Sequence, residues 1–239
     1  LLSFTLVPRI NASGRIGDTS DVMKLFLSDS VDESLPLAEK LDRTNTERQK
    51  IEQEAYEEAR SQLTEKGFDS AIVLANRNWH IGVVGIVASR IAEEYNRPTF
   101  VLTLEGDVAK GSARSIPAFD VHQGLSECSD ILLSYGGHRQ AAGLKLRASD
   151  IPRFEKRIND RVKDSLGAED LTPVIEIHAE VLLSEVTTSL VRELSLLEPV
   201  GFGNPEPTLG TRMLDVLSPR IVGKNHLKMK VRQKALSLD

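Results

Sequence analysis

A single cysteine, Cys128, stands among 239 residues, so no disulfide can close within the chain and no zinc site built on several thiolates is available. No stretch approaches the run of about 18 apolar residues that a membrane-crossing helix needs, and no membrane partner is expected. HExxH and GxxxxGK[ST] motifs are both missing, and the five histidines (His80, His122, His138, His178, His226) are scattered. A phosphodiesterase centre working through two metal ions needs clustered carboxylates and histidines. None can be assembled here, because Asp18 and Asp21, beside the Arg-rich opening segment, are better explained by helix capping, so no residue is assigned as a metal ligand. The opening run LLSFTLVPRI has neither a basic n-region nor a small-residue cleavage site, which excludes a secretory signal. It reads as an apolar, strand-like segment without an initiating Met, and the expectation is a fragment of a longer protein.

What is present fits a soluble globular chain: 40% apolar and 27% charged residues, enough for one large or two modest domains. Cysteine usage makes a cytoplasmic setting the default expectation. The net charge of −5 argues on average against a nucleic-acid partner, since affinity for phosphates comes from Lys and Arg. The average hides a gradient. Glu33 to Glu65 holds nine acids against five bases, whereas Met213 to Leu238 holds six bases (Arg220, Lys224, Lys228, Lys230, Arg232, Lys234) against Asp215 alone. A solvated helix face plus an ordinary strand surface, or a locally basic binding surface, are both open at this point.

The spacing of apolar residues predicts a short helix over 18–30, with Thr19 or Ser20 as N-cap and Val22, Leu25 and Phe26 on one face. A long helix follows over 33–66, with Pro36 in its first turn and Gly67 as its stop. Its narrow apolar stripe suits a bridge between two lobes. From Phe68 the pattern becomes an α/β one with a mixed sheet. Strands are expected at 71–75, 98–104, 108–115 and 144–146, with helices at 81–95, 120–128 and 151–165. A break at 166–173 precedes a strand at 174–179, a helix near 186–197, and strands at 213–217 and 226–231. That last portion starts like a small β-barrel and is too short to close a five-stranded one.

Four segments carry possible chemistry. In GGHRQAAG, Gly136 and Gly137 let the backbone turn sharply and approach a ligand, and His138 can donate to a phosphate oxygen or stabilise charge during phosphodiester cleavage. A glycine-rich turn with an incidental histidine is the alternative. In GSARS, Ser112, Arg114 and Ser115 suit a phosphate clamp, or else a solvated strand end. Asn78, Trp79 and His80 lead into a helix whose free N–H groups favour an anion, and Trp79 either stacks on a base or is core. In PRINASGR, Arg9, Asn11 and Arg15 gather around a turn.

In this order PRINASGR, WHIGVVGIVASR, GSARS, GGHRQAAG and LEPVGFGNPEP resemble the 5′-to-3′ single-stranded-DNA exonucleases of the DHH phosphoesterase family. The resemblance spans nearly the whole chain. It implies the tail of a DHH catalytic domain at 1–32, a connecting helix at 33–67, a mixed-sheet DHH-associated domain at 68–166 and the start of an OB-type nucleic-acid-binding barrel at 171–239. By the same resemblance His138 contacts the scissile phosphate, and Ser112 and Arg114 hold neighbouring phosphates. Arg9, Asn11 and Arg15 line the cleft, and His80 faces it. The family's Asp- and His-rich motifs, which bind Mn2+ or Mg2+, are absent, so this chain is expected to hold no metal and to leave DNA uncut, whereas its full-length parent cuts. Single-stranded DNA is the implied partner, with a helicase and a single-strand-binding protein as further candidates in recombination and repair. The competing functions are a non-catalytic single-strand-binding module and, within the superfamily, an enzyme for short oligoribonucleotides or cyclic dinucleotides.

Overall fold

The computed structural model describes residues 2–201, 203–223 and 226–238. The chain divides into two compact units, one running to Pro173 and one beginning at Val174.

In the first unit the opening segment is helical. A π-helical turn, Leu2–Leu6, runs into α1, Val7–Ile16, with Pro8 in its first turn, where a missing N–H costs nothing. This corrects the strand and the Arg-rich turn expected there. Contact with neighbouring helices outweighs the weak helix preference of Gly14, for Ala12 and Ser13 are buried. Next comes α2, Ser20–Leu27. Its N-cap is Thr19, one of the two residues expected there, but Thr19 makes no side-chain cap bond and Asp18 supplies the hydrogen bonds at this end. The Asp18 carboxylate accepts from the Ser20 backbone N–H at 2.8 Å and its hydroxyl at 2.7 Å, which holds that carboxyl below its ordinary range.

The 36-residue α3, Val31–Lys66, is capped by Ser30, whose side chain accepts from the Glu33 N–H, and ends at Gly67 with φ of 71°. Pro36 therefore lies in the second turn and not the first. The helix meets α1 and α2 along its first half: Lys40 pairs with Asp21 at 2.7 Å and Arg9 with Asp42 at 2.6 Å. Its second half buries Ala55, Ala59 and Leu63 against α4, Ile81–Tyr95.

The sheet has five strands in the order β1-β2-β3-β5-β4. They are β1 Ile72–Asn76, β2 Thr99–Glu105, β3 Val108–Arg114, β4 Leu132–His138 and β5 Ala141–Arg147. The β1–β2 pair, joined by α4, is parallel and all other pairs are antiparallel, as a crossover and hairpins respectively require. Two cores sandwich the sheet. On one face Ile72, Leu74 and Val101 meet α3 and α4. On the other, Phe100, Leu102, Ala113, Ala142, Leu144 and Leu146 meet α5, Val121–Ser126, and α6, Ile151–Ser165. Helix α4 covers β1 to β3 only. Over β5 and β4 the same face lies open, with Gly136, His138, Gly143, Lys145 and Arg147 all exposed.

The second unit carries a parallel pair, β6 Ala179–Glu180 and β7 Leu209–Gly210, then α7, Thr188–Leu194, extended by a 3-10 turn to Leu197. A three-stranded antiparallel sheet follows, made of β8 Asp215–Val222, β9 His226–Gln233 and β10 Leu236–Leu238. Most of the strand expected at 174–179 is irregular. Leu183 is the one buried hydrophobic residue described in this unit, while Val174, Ile175 and Ile221 are exposed. Lys224 of the basic tail and Phe202 of the FGNPEP segment lie outside the described residues.

Candidate nucleic-acid interface

The register of the sheet brings two of the sequence's candidate segments into one row. Arg114 at the end of β3 lies opposite Ala141 of β5, and Ala141 lies opposite His138 at the end of β4. Paired residues project to the same face, here the one on which α4 packs over β3, with Gly85 and Ser89 beside Ser112 and Arg114, and which lies open over β5 and β4. The next row holds Ser112, Gly143 and Gly136. GGHRQAAG is thus the β4–β5 hairpin and not a free glycine turn.

Both hairpin glycines have a physical reason. Gly137 has φ of 146°, and a Cβ there would stand 2.5 Å from Ala142 Cα and press on the Ala141 carbonyl, so only glycine fits. Around Gly136 nothing lies within 4 Å, which leaves bare backbone on the open face. The hairpin tip is strapped to the segment after β3. Ser115 N–H donates to Gln140 O at 2.9 Å, Val121 N–H to Arg139 O at 3.0 Å, and Arg139 to Pro117 O at 3.0 Å. His138 Nδ1 accepts from Gln140 N–H at 3.3 Å, which in a neutral ring leaves Nε2–H as the available donor.

Arg114 is half-buried. Its Nε donates to Ser89 Oγ at 3.1 Å and its Nη1 to Ala113 O at 2.8 Å; Ser89 in turn donates to Gly85 O at 3.1 Å. Among the described residues no carboxylate pairs with it. Burial, and then the neighbouring Arg15 charge, pull its pKa below the usual arginine value. Arg15 comes from α1, where its Nη1 donates to Gly82 O at 3.1 Å. That approach is possible because position 82 carries no side chain, since a Cβ there would lie 2.8 Å from the Arg15 carbonyl carbon. Ser89 orients Arg114 and was not singled out in the sequence, although WHIGVVGIVASR contains it. Ser89→Ala is expected to lower unfolding stability by about 1 kcal/mol, the worth of an ordinary hydrogen bond, as measured by urea denaturation.

The remaining candidates have other employment. Arg9 is tied to Asp42 and so braces α1 on α3. Asn11 and Arg15 share a hollow with Arg48 and Ile86, and Arg48, which sequence reasoning did not flag, is itself engaged by Glu52 and Asn45. His80 caps α4, its Nδ1 accepting from Gly82 N–H at 3.0 Å. Trp79 is 3% exposed with its indole N–H on Glu58 at 2.9 Å, which settles it as core and not a base-stacking platform. Ser115 donates its hydroxyl to Phe119 O at 2.8 Å. Burial pushes the Cys128 thiol up to about 11, so it is inert at neutral pH. Among the described residues no group of three or more His, Cys, Asp or Glu side chains is placed to hold a metal ion, and no helix is long and apolar enough to cross a membrane.

Comparison with known proteins places these features in a family context. Residues 68–164 match the DHHA1 domain and residues 177–239 the RecJ OB domain. The chain is 38% identical over 243 residues to the single-stranded-DNA-specific exonuclease RecJ of Bacillus subtilis (strain 168), covering 100% of this chain and 31% of that protein. It is 34% identical over 240 residues to the Escherichia coli (strain K12) protein of the same name, covering 96% and 41%. Among solved structures, RecJ from Thermus thermophilus in complex with Mn2+ superposes with a TM-score of 0.85 at 32% identity, over 99% of this chain and 35% of that one. The Mg2+ complex gives 0.81 over 99% and 36%. The chain thus spans between 31% and 41% of the length of these relatives.

Proposed function

We propose, from the premise that this chain belongs to the RecJ family, that it is the substrate-gripping part of an exonuclease that removes nucleotides from the 5′ end of single-stranded DNA. The observation that carries this reading is the state of Arg114. A half-buried guanidinium with no carboxylate partner among the described residues and a second arginine beside it is costly unless an anion completes the site. The row it shares with His138 has only Ala141 between them and no acid, and the next row sets Ser112 beside the bare backbone of Gly143 and Gly136. A backbone phosphate supplies the missing charge and accepts from Arg114, the Ser112 hydroxyl and His138 Nε2–H.

In the reaction, Arg114 and Ser112 would hold the phosphates flanking the bond to be broken. His138 would donate to the scissile phosphate and steady the charge that gathers on its oxygens. Arg15, Asn11 and His80 would line the approach. Domain limits at 1–32, 33–67, 68–166 and 171–239 belong to the same proposal. The relatives' structures are complexes with Mn2+ or Mg2+. The described residues of this chain supply no cluster for such an ion. Alone, the chain grips and does not cut. A helicase or a single-strand-binding protein as partner, and a cytoplasmic setting, accompany this reading.

Fluorescence anisotropy with a labelled single-stranded oligonucleotide over a salt series tests the grip. Arg114→Ala is expected to weaken binding about tenfold, the effect of losing roughly 1.5 kcal/mol of charge-assisted hydrogen bonding. The slope of log K against log salt should fall by about 0.7, one phosphate's worth for a single strand. An unchanged affinity and slope would remove the reading.

A further inference from the structure

The open face does not end at His138. Beyond the row of Arg114, Ala141 and His138 and the row of Ser112, Gly143 and Gly136, a third row sets Lys110 of β3 opposite Lys145 of β5 and Lys145 opposite Ser134 of β4. A fourth brings Arg147 opposite Val108. Gly143, Lys145 and Arg147 are exposed while Ala142, Leu144 and Leu146, which alternate with them, are buried, so the alternation aims both cations at the same face as His138.

Two observations single these cations out. Like charges directly opposite on a sheet destabilise it, yet Lys110 and Lys145 are paired in register. Glu105 compensates Lys110 alone, at 2.6 Å, and among the described residues neither Lys145 nor Arg147 forms an ion pair. The spacing is the second. Successive rows are two residues apart, a step of about 6.7 Å, comparable with the separation of neighbouring phosphates in an extended single strand. The strip is two strands wide, about 10 Å, and is bounded by α4 on β1 to β3. That is room for one strand and not for a duplex.

We propose that Lys145 and Arg147 form a second phosphate-binding subsite for single-stranded DNA, four and six residues along β5 from Ala141. This rests on the single-strand reading of the Arg114 row and deepens it. The strand lies along β5, one phosphate held near Arg114 and His138, the next backbone unit crossing the bare glycine row, and later phosphates meeting Lys145 and Arg147. The distance from Ala141 to Arg147 is about 20 Å along the strand, so the grip extends over several nucleotides from the Arg114 row.

The test uses the full chain and a labelled oligothymidylate of about five nucleotides, enough to follow about 20 Å of strand. Lys145→Ala/Arg147→Ala is compared with Lys50→Ala/Lys156→Ala, which removes the same charge from exposed helical positions. The first is expected to bind about tenfold more weakly, with the salt slope reduced by about 1.4, two phosphates' worth. The second is expected to stay near the parent values, and neither should melt below the parent temperature, the first gaining slightly from the relief of the Lys110–Lys145 repulsion. If the β5 variant behaves like the control while Arg114→Ala still weakens binding, the second subsite is wrong and the grip at Arg114 stands. If Arg114→Ala is equally silent, both fall. If the β5 variant loses affinity for a duplex as much as for the single strand, the strip is a general anion surface and the single-strand assignment is overturned.

Discussion

Gly137→Ala is expected to cost about 3 kcal/mol of stability, combining a backbone conformation that L-residues rarely adopt with overpacking against a neighbouring strand. The new methyl would stand 2.5 Å from Ala142 Cα and press on the Ala141 carbonyl. Neither can retreat, because Ala142 is paired to β3 and packed in the core. The β4 side must therefore move, and His138, the next residue, moves with it. Single-strand affinity should fall about tenfold, the cost of losing a charge-assisted contact of roughly 1.5 kcal/mol. Gly136→Ala is the contrast. Its methyl meets nothing within 4 Å, so stability should hold while the methyl intrudes on the face where a phosphate backbone would lie. Thermal melting and anisotropy on the two variants separate a fold glycine from a contact glycine. Equal melting temperatures for both would show that the β4–β5 pairing tolerates a side chain at 137.

Phe154→Ala should have the opposite profile. Phe154 is wholly buried on α6 and meets Phe100 edge-on, with ring centroids 5.3 Å apart at 82°. Truncating a buried aromatic of this kind leaves a cavity and costs about 4 kcal/mol, a drop of roughly 12 °C in melting temperature for a unit of this size. The lost ring lies on the face of the sheet away from Arg114 and His138. Well below the melting point the donors on the open face keep their register, and single-strand affinity should change less than about twofold, within roughly 0.4 kcal/mol. A large loss of affinity in folded protein would mean that the α6 face and the open face are mechanically coupled.

The sequence made some of this legible and hid the rest for physical reasons. Helices α4 and α6 fall where apolar periodicity placed them, at 81–95 and 151–165, because one side of each is buried and the other is not. Strand β4 was invisible. Leu133 through His138 are exposed, so no alternation marks them, and two glycines suggest a turn. Pairing to β5 makes that strand, and pairing is not written in local composition. The opening segment misled in the other direction, for Pro8 and Gly14 suggest a turn in isolation, but Ala12 and Ser13 packing inward keeps the chain helical. At the site, residue types were readable and their employment was not. Nothing local says that Arg9 is taken by Asp42, that Trp79 lies in the core, or that Ser89 holds Arg114, since each depends on a partner many residues away.

Helix α3 has a consequence for how the chain can change in length. At 1.5 Å per residue its 36 residues run about 54 Å. Lys40 and Asp42 fasten α2 and α1 to one end, and Glu58 and Arg60 hold Trp79 and Glu94 further along. Arg15 must reach Gly82 independently of both. One residue added between Asn45 and Glu52 would turn everything before it by about 100° and carry it about 1.5 Å along, so the helix-to-helix clasp and the Arg15 contact could not both survive. An addition of seven residues nearly restores the angle, within about 20°, yet displaces the clasp by about 10 Å. Phase and reach are thus locked together, and between those two clasps α3 admits substitutions at its exposed positions and no insertion or deletion.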